Sequence, residues 1–200
     1  MLFRSIEIIR GPHSALYGAD AMGSVIQIFT KRGRGTPQVE ASVAGGNLNT
    51  FEERANLSGG VGRLGYSLAV GRTDTDGSLK INNAFRETTV SGRLDYTIGN
   101  ALDLNFVIRY TDSLFQFPTG GAGDRFDPLD PRQSSDQQRL LLSSKASHSL
   151  TSWWQQTLQL GFYRLNRTFD DRLDPGIDFS TFHSRNEERR FSLEDRKSVV

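Results

Sequence analysis

The chain of 200 residues contains no cysteine. That excludes a disulfide framework, a thiolate zinc site and a cysteine nucleophile. It also has no excess of charge: 24 Lys and Arg stand against 23 Asp and Glu, so neither a nucleic-acid patch nor a polyanionic tail is present and no nucleic-acid partner is expected. Long hydrophobic runs are missing too, and without 18 consecutive apolar residues no transmembrane helix is expected. The opening "MLFRSIEIIRG" lacks the long apolar region and small-residue cleavage site of a secretory signal. A chain complete at this end would remain cytoplasmic, whereas a fragment would have lost its front. Histidine is scarce, at His13, His148 and His183, and none lies in a spacing that builds a catalytic set, so no enzyme is expected. Apolar residues make up only 36% of the chain, little for an ordinary core at this length. Either much of it is loop, or its apolar residues serve one side of something.

What is present from about Gln38 onward is a period of two. The segments "RLGYSLAVGR", "RLDYTIG" and "ALDLNFVIRY" place Leu64, Tyr66, Leu68, Val70, Leu94, Tyr96, Ile98, Leu102, Leu104, Phe106, Ile108 and Tyr110 on even numbers. Of the odd positions between them, only Ala69 and Val107 are apolar. Such alternation puts one residue class on each face of a strand. Noisier alternation follows in "QVEASVAGG", "FEERANLSGG", "RLLLSSKASHSL" and "WWQQTLQLGFYR", with "RRFSLED" as a weak eighth strand.

The connections alternate as well. Short ones at 59–63, 98–101 and 149–152 are separated by long polar ones at about 73–86, 112–136 and 169–186. One end of the sheet is therefore trimmed and the other decorated, the rhythm of up-and-down membrane barrels. Tyr110, Trp153, Trp154 and Tyr163 lie near strand ends, where rings suit the membrane–water interface. The parity opposite the apolar one carries Arg93, Asp95, Asp103, Asn105, Arg109 and Lys145. A polar interior inside an apolar outer band describes a lipid-embedded barrel. A sandwich with one solvated face is the alternative.

Ahead of these strands stands "IEIIRGPHSALYGADAMGSVIQIFTKRG", residues 6–33. "SIEIIRG" reads as a strand ended by Gly11-Pro12, "HSALYG" as one helical turn from Ser14, and "SVIQIFTK" as a second strand. The segment resembles the end of the plug domain of TonB-dependent outer-membrane receptors. Glu7, Arg10, Gly11, Pro12, Ser14, Ala15, Tyr17, Gly18, Ala21, Gly23, Val25, Ile26 and Ile28 match that family's pattern, and Ser24 stands where a second glycine is usual. "FQFPTGGAGDRFDPLDP" is similar to a loop of the vitamin B12 receptor subgroup.

The resemblance implies an all-β fold, an antiparallel transmembrane β-barrel of about 22 strands filled by an N-terminal plug. Residues 1–33 would be the C-terminal end of the plug. Residues 34–200 would be the N-terminal part of the barrel, about eight strands of it. It further implies residence in the Gram-negative outer membrane and import of a scarce ligand such as cobalamin, a siderophore or a similar chelate. Energy would come from the TonB complex, whose contact segment would be missing here. No cofactor is implied, apart from calcium in some loops of the B12 subgroup. On this reading Glu7 and Arg10 pair with wall residues such as Arg93, Asp95 or Arg109. Phe115 and Phe117, placed in the 112–136 loop, are candidates for ligand contact. Asp124, Asp127 and Asp130 are hard-oxygen candidates for calcium, although Asp-Pro turns account for the same letters. Two rivals remain open: a complete eight-stranded outer-membrane barrel, which would pair the strand near 38–45 with that near 188–194, and a soluble β-sandwich binding module.

Overall fold

The computed structural model describes residues 3–11, 23–30, 32–79, 81–119, 130–149, 151, 153–175 and 180–199. Every regular element among them is a strand. A hairpin of β1 (Phe3–Arg10) and β2 (Ser24–Thr30) forms its own two-stranded sheet, with Glu7 opposite Gln27. The helical turn read over "HSALYG" lies outside the described residues.

Eight further strands make one antiparallel meander: β3 (Gln38–Gly45), β4 (Phe51–Val61), β5 (Leu64–Thr75), β6 (Phe85–Ile98), β7 (Leu102–Thr119), β8 (Asp130–Ser149), β9 (Trp154–Asp171) and β10 (Phe182–Val199). Spatial order follows chain order, so β3 and β10 lie at opposite edges. A closed eight-stranded ring would set these two strands side by side, and a sandwich would need a second layer over the apolar face. Neither is seen among the described residues.

The even-numbered apolar residues do not pack against each other across a core. Leu64, Leu68, Val70, Leu94, Tyr96, Ile98 and Phe106 are exposed on one face, and no described side chain is fully buried. A water-soluble sheet with this face bare would be unstable, since contiguous apolar patches of that extent mark a covered surface. The covering medium suited to a single-layer sheet with apolar residues outside and polar residues inside is lipid.

The strands are longer than the apolar alternation implies. β7 continues beyond Tyr110 to Thr119, β8 begins at Asp130, and β10, foreshadowed only by "RRFSLED", runs for 18 residues. The wide connections shrink accordingly to 76–84, 120–129 and 172–181. The cause lies in the pairing. Ladder hydrogen bonds proceed from Tyr110↔Leu140 through Phe117↔Gln133, although outward positions turn polar at Asp112. The hydrophobic signal stops at the edge of the apolar band; the β-compatible Ser, Thr and Phe residues beyond it still pair. The sheet therefore rises above that band. At its other end Gly62 and Gly99 adopt left-handed backbone (φ 58° and 61°), which lets the short turns close without a Cβ clash.

Candidate functional site

Between β2 and β3 the chain runs as a strap along the polar face of the β4–β5 hairpin. Gly33 is buried there: a Cβ at this position would lie 1.8 Å from the carbonyl oxygen of Tyr66 and 2.5 Å from that of Gly59. Gly65 presses on the strap from the wall, where its own Cβ would meet the Gly33 carbonyl at 2.6 Å. The Gly60 amide donates to the Gly35 carbonyl at 2.8 Å. Glycine is needed on both sides because two backbones approach to contact distance.

Beside the strap is a buried carboxylate. Asp95, on β6, is 3% exposed. Arg93 donates to it twice, Nε to Oδ2 and Nη2 to Oδ1, each at 2.8 Å, a planar bidentate pairing. Asn105 on β7 adds a bond from Nδ2 at 3.0 Å, and Arg32 of the strap brings its Nε to 3.4 Å. The remaining Arg93 nitrogen, Nη1, donates to the Thr30 hydroxyl at 2.9 Å and reaches the Thr30 carbonyl at 3.4 Å. Two residues apart on a strand, Arg93 and Asp95 share one face. That face holds the end of the opening segment, so it is the inner one.

Among the described residues, neither Glu7 nor Arg10 is one of the partners of Asp95 or Arg93. Both stand exposed on β1, and the wall carboxylate is shared instead by Arg93, Arg32 and Asn105. The arginine that meets the wall comes from the polar exit after β2, which sequence reading treated as a connection. Arg109 is on the inner face farther from the strap. With Arg54 and Glu87 it lines a recess of about 200 Å³ floored by Ala69, Gly71 and Ser91.

Phe115 and Phe117 lie on strand β7, not in a loop, and point to the same inner face. They belong to a ladder of five rings. Phe85 meets Phe115 edge-on at 6.3 Å, Phe115 stacks on Phe117 at 5.3 Å, Phe117 approaches Phe169 at 6.1 Å, and Phe169 approaches Phe182 at 5.9 Å. β8 passes beneath with Ser135, opposite both Phe115 and Phe169, so neighbouring rings can lean together over it. Phe115 and Phe182 remain 42% and 56% exposed, leaving ring surface open at the decorated end. Phe85, Phe169 and Phe182 escaped sequence reading because each lies beyond the apolar alternation. All three fall inside the stretches read as long connections, and aromatic rings recurring there were the available signal.

The same end is tied by side chains. Asn82 of the 76–84 connection donates to the carbonyls of Phe117 and Gln133, at 3.0 and 2.8 Å, and Arg132 pairs with Asp174 of the 172–181 connection. Asp130 accepts from the Gln133 amide at 2.9 Å; Asp124 and Asp127 lie outside the described residues. Among the described residues no cluster of three or more His, Asp or Glu is arranged to hold a metal ion.

No family model matches the sequence. Relatives nevertheless do. The chain is 26% identical over 175 residues to the vitamin B12 transporter BtuB of Photobacterium profundum, an alignment covering 83% of this chain and 28% of that protein. Against the pesticin receptor of Yersinia enterocolitica it is 33% identical over 93 residues, 44% of this chain and 13% of the receptor. In three dimensions the ferric yersiniabactin uptake receptor FyuA of Yersinia pestis superposes with a TM-score of 0.82, at 17% identity, over 99% of this chain and 33% of FyuA. This chain resembles the TonB-dependent outer-membrane receptors in sequence and in fold. The ferripyoverdine receptor of the outer membrane of Pseudomonas aeruginosa fits similarly, with a TM-score of 0.77 over 98% of this chain and 29% of that receptor at 16% identity. These relatives are transporters and receptors, and the chain spans about a third of their length or less.

Proposed function

We propose that this chain forms part of an outer-membrane receptor that imports a scarce ligand, cobalamin, a siderophore or a similar chelate, using energy delivered by the TonB complex. The observation that carries the reading is the contact of Arg93 and Asp95 with Thr30 and Arg32. It sets the opening segment against the polar face of a sheet whose other face is apolar and bare. A stopper held inside a wall that faces lipid serves gated uptake, because an unplugged large barrel would leak. In this reading residues 1–33 are the end of the stopper, residues 34–200 the first part of the wall, and the five-ring ladder contributes contact surface to the captured ligand. Stacked rings with open faces suit a flat or aromatic chelate.

The test uses the full-length receptor in a strain lacking its own copy. Energy-dependent accumulation of labelled cobalamin or of a ferric siderophore is expected, and it should vanish when the TonB complex is deleted. Accumulation that persists without the complex, or passive conductance of small solutes through the unliganded receptor, would overturn the proposal.

A further inference from the structure

The inner wall is not evenly charged. On β7, β8 and β9 every second side chain shares the face that carries Phe115, Phe117 and Phe169. Asp103 at the tight-turn end and Asp171 at the rim bound a stretch in which that face of the three strands carries no carboxylate. Its charges are Lys145, Arg109, Arg139 and Arg167. The acids of the flanking strands have partners of their own. On β6 Arg93 holds Asp95, and on β10 Arg190 and Arg196 meet Glu188 and Glu194. Glu87 of β6 shares its recess with two arginines, Arg54 and Arg109.

The register turns these cations into a flight of steps. Arg167, opposite Gln137, lies one row beneath the row of Phe115, Ser135 and Phe169. Arg139, opposite Leu165, is its diagonal neighbour on β8, one row lower. Arg109, opposite Leu141, is in turn the diagonal neighbour of Arg139 on β7, lower again. Diagonal neighbours in a sheet stand about 7–8 Å apart, within the sweep of two guanidinium arms. Lys145, opposite Asn105, follows about 13 Å farther along β8 than Leu141. Arg139, Arg167 and Lys145 are exposed, and none is paired with a carboxylate among the described residues. Apolar side chains lie between the steps: Tyr163 and Leu165 of β9, and Leu141, which is 39% exposed on a face that looks into the lumen. The contacts described for the strap fall on β4, β5 and β6, to one side of this stripe.

We propose that Arg167, Arg139, Arg109 and Lys145 form a stepped track that draws an anionic chelate from the phenylalanine ladder down the inner wall. The inference rests on the uptake reading above and narrows its ligand to an anion. A surface lined by one sign of charge raises the local concentration of the opposite sign. Leu141, Tyr163 and Leu165 offer apolar surface to the organic shell of the chelate, while each cation in turn meets its charge. Passage needs binding that is favourable enough to enter and divided enough to leave, and separated steps supply both.

The full-length receptor is expressed in a strain stripped of its own receptors, and energy-dependent accumulation of labelled probes is measured. Ferric tris-catecholate and ferric citrate are the anions; ferric tris-hydroxamate and cyanocobalamin are the neutral probes. At least one anion should accumulate, and neither neutral probe should. For that anion, Arg139→Gln/Lys145→Gln should lower the maximal uptake rate about tenfold, roughly threefold per exposed cation. Its affinity for the cell surface, which also reports that the variant is inserted, should stay unchanged. Arg139→Lys/Lys145→Arg, which keeps both charges, should restore most of the rate. Accumulation of a neutral probe overturns the inference and leaves the uptake reading standing. So does an anion rate that the glutamine variant fails to lower, or that the charge-keeping variant lowers as far. Accumulation of none of the probes, or accumulation that persists without the TonB complex, sinks the uptake reading and this inference with it.

Discussion

Arg93 grips Asp95 through two hydrogen bonds of equal length, 2.8 Å each, and in doing so aims its third nitrogen at Thr30. The carboxylate thus orients the group that holds the opening segment, and through Arg32 it also meets that segment directly. Removing it leaves two guanidiniums facing each other in a poorly hydrated corner. Asp95→Ala in the full-length receptor is expected to cost about 3 kcal/mol, the scale for breaking one side of a buried ion pair. It should also loosen the strap enough for trypsin to cut after Arg32, which the wall contacts otherwise hold in place. An unchanged denaturation midpoint with an intact strap would show that the glycine contacts alone suffice.

The orientation of the sheet yields a second expectation. Ile108 faces outward in the middle of the apolar band, whereas Thr111 faces inward one level higher, near Thr89. Ile108→Arg should destabilise the folded receptor by about 2–4 kcal/mol in lipid vesicles. Thr111→Arg should cost under about 1 kcal/mol, since its guanidinium enters a wet lumen. Urea titration followed by tryptophan fluorescence compares them; a reversed order would mean that the faces are exchanged.

Ligand capture gives the third. Phe115 and Phe117 stack on each other, and Phe115 keeps open surface. Replacing both by alanine should reduce equilibrium affinity for the chelate about tenfold, the scale of one or two aromatic contacts, with little change in melting temperature. Calorimetry on the intact receptor measures both. Unaltered affinity would assign the rings to stiffening of the protruding sheet.

A fourth concerns acid. Asp136, above the apolar band, has its carboxyl raised from the ordinary value, first by burial and then by the carboxylates of Asp112 and Asp170. Its folded form therefore holds a proton more tightly than its unfolded form, and ionised Asp136 detracts from stability at neutral pH. The penalty disappears as pH falls through the raised value. Asp136→Asn should melt higher than the wild type at about pH 7, and the gap should narrow toward about pH 4. A gap that widens on acidification would contradict the assigned direction.

The number of strands after residue 37 and the side on which their leucines lie were legible because a period of two separates the faces wherever one meets an apolar medium. Strand length was not, because Asp112, Gln138 and Asn166 occupy outward positions just past the band, where alternation loses its contrast while the hydrogen-bond ladder continues. Phe115 and Phe117 were read as loop for that reason. The wall charges were visible at Arg93 and Asp95, but spacing along a strand reveals only a shared face. It does not reveal what lies opposite, and Arg32, embedded in a run of basic and glycine residues, gave no sign that it was the partner.

The glycine-lined strap has a mechanical corollary. It grips the wall at the level of the tight turns, so any slack drawn from the hairpin would issue from that rim like a leash from a fixed ring. From Thr30 back to Phe3 a fully stretched backbone reaches about 90 Å, at roughly 3.3–3.6 Å per residue. On the proposed uptake reading, a pull on the opening hairpin would therefore unwind this stretch without detaching it from the wall, and its return would begin beside its own berth.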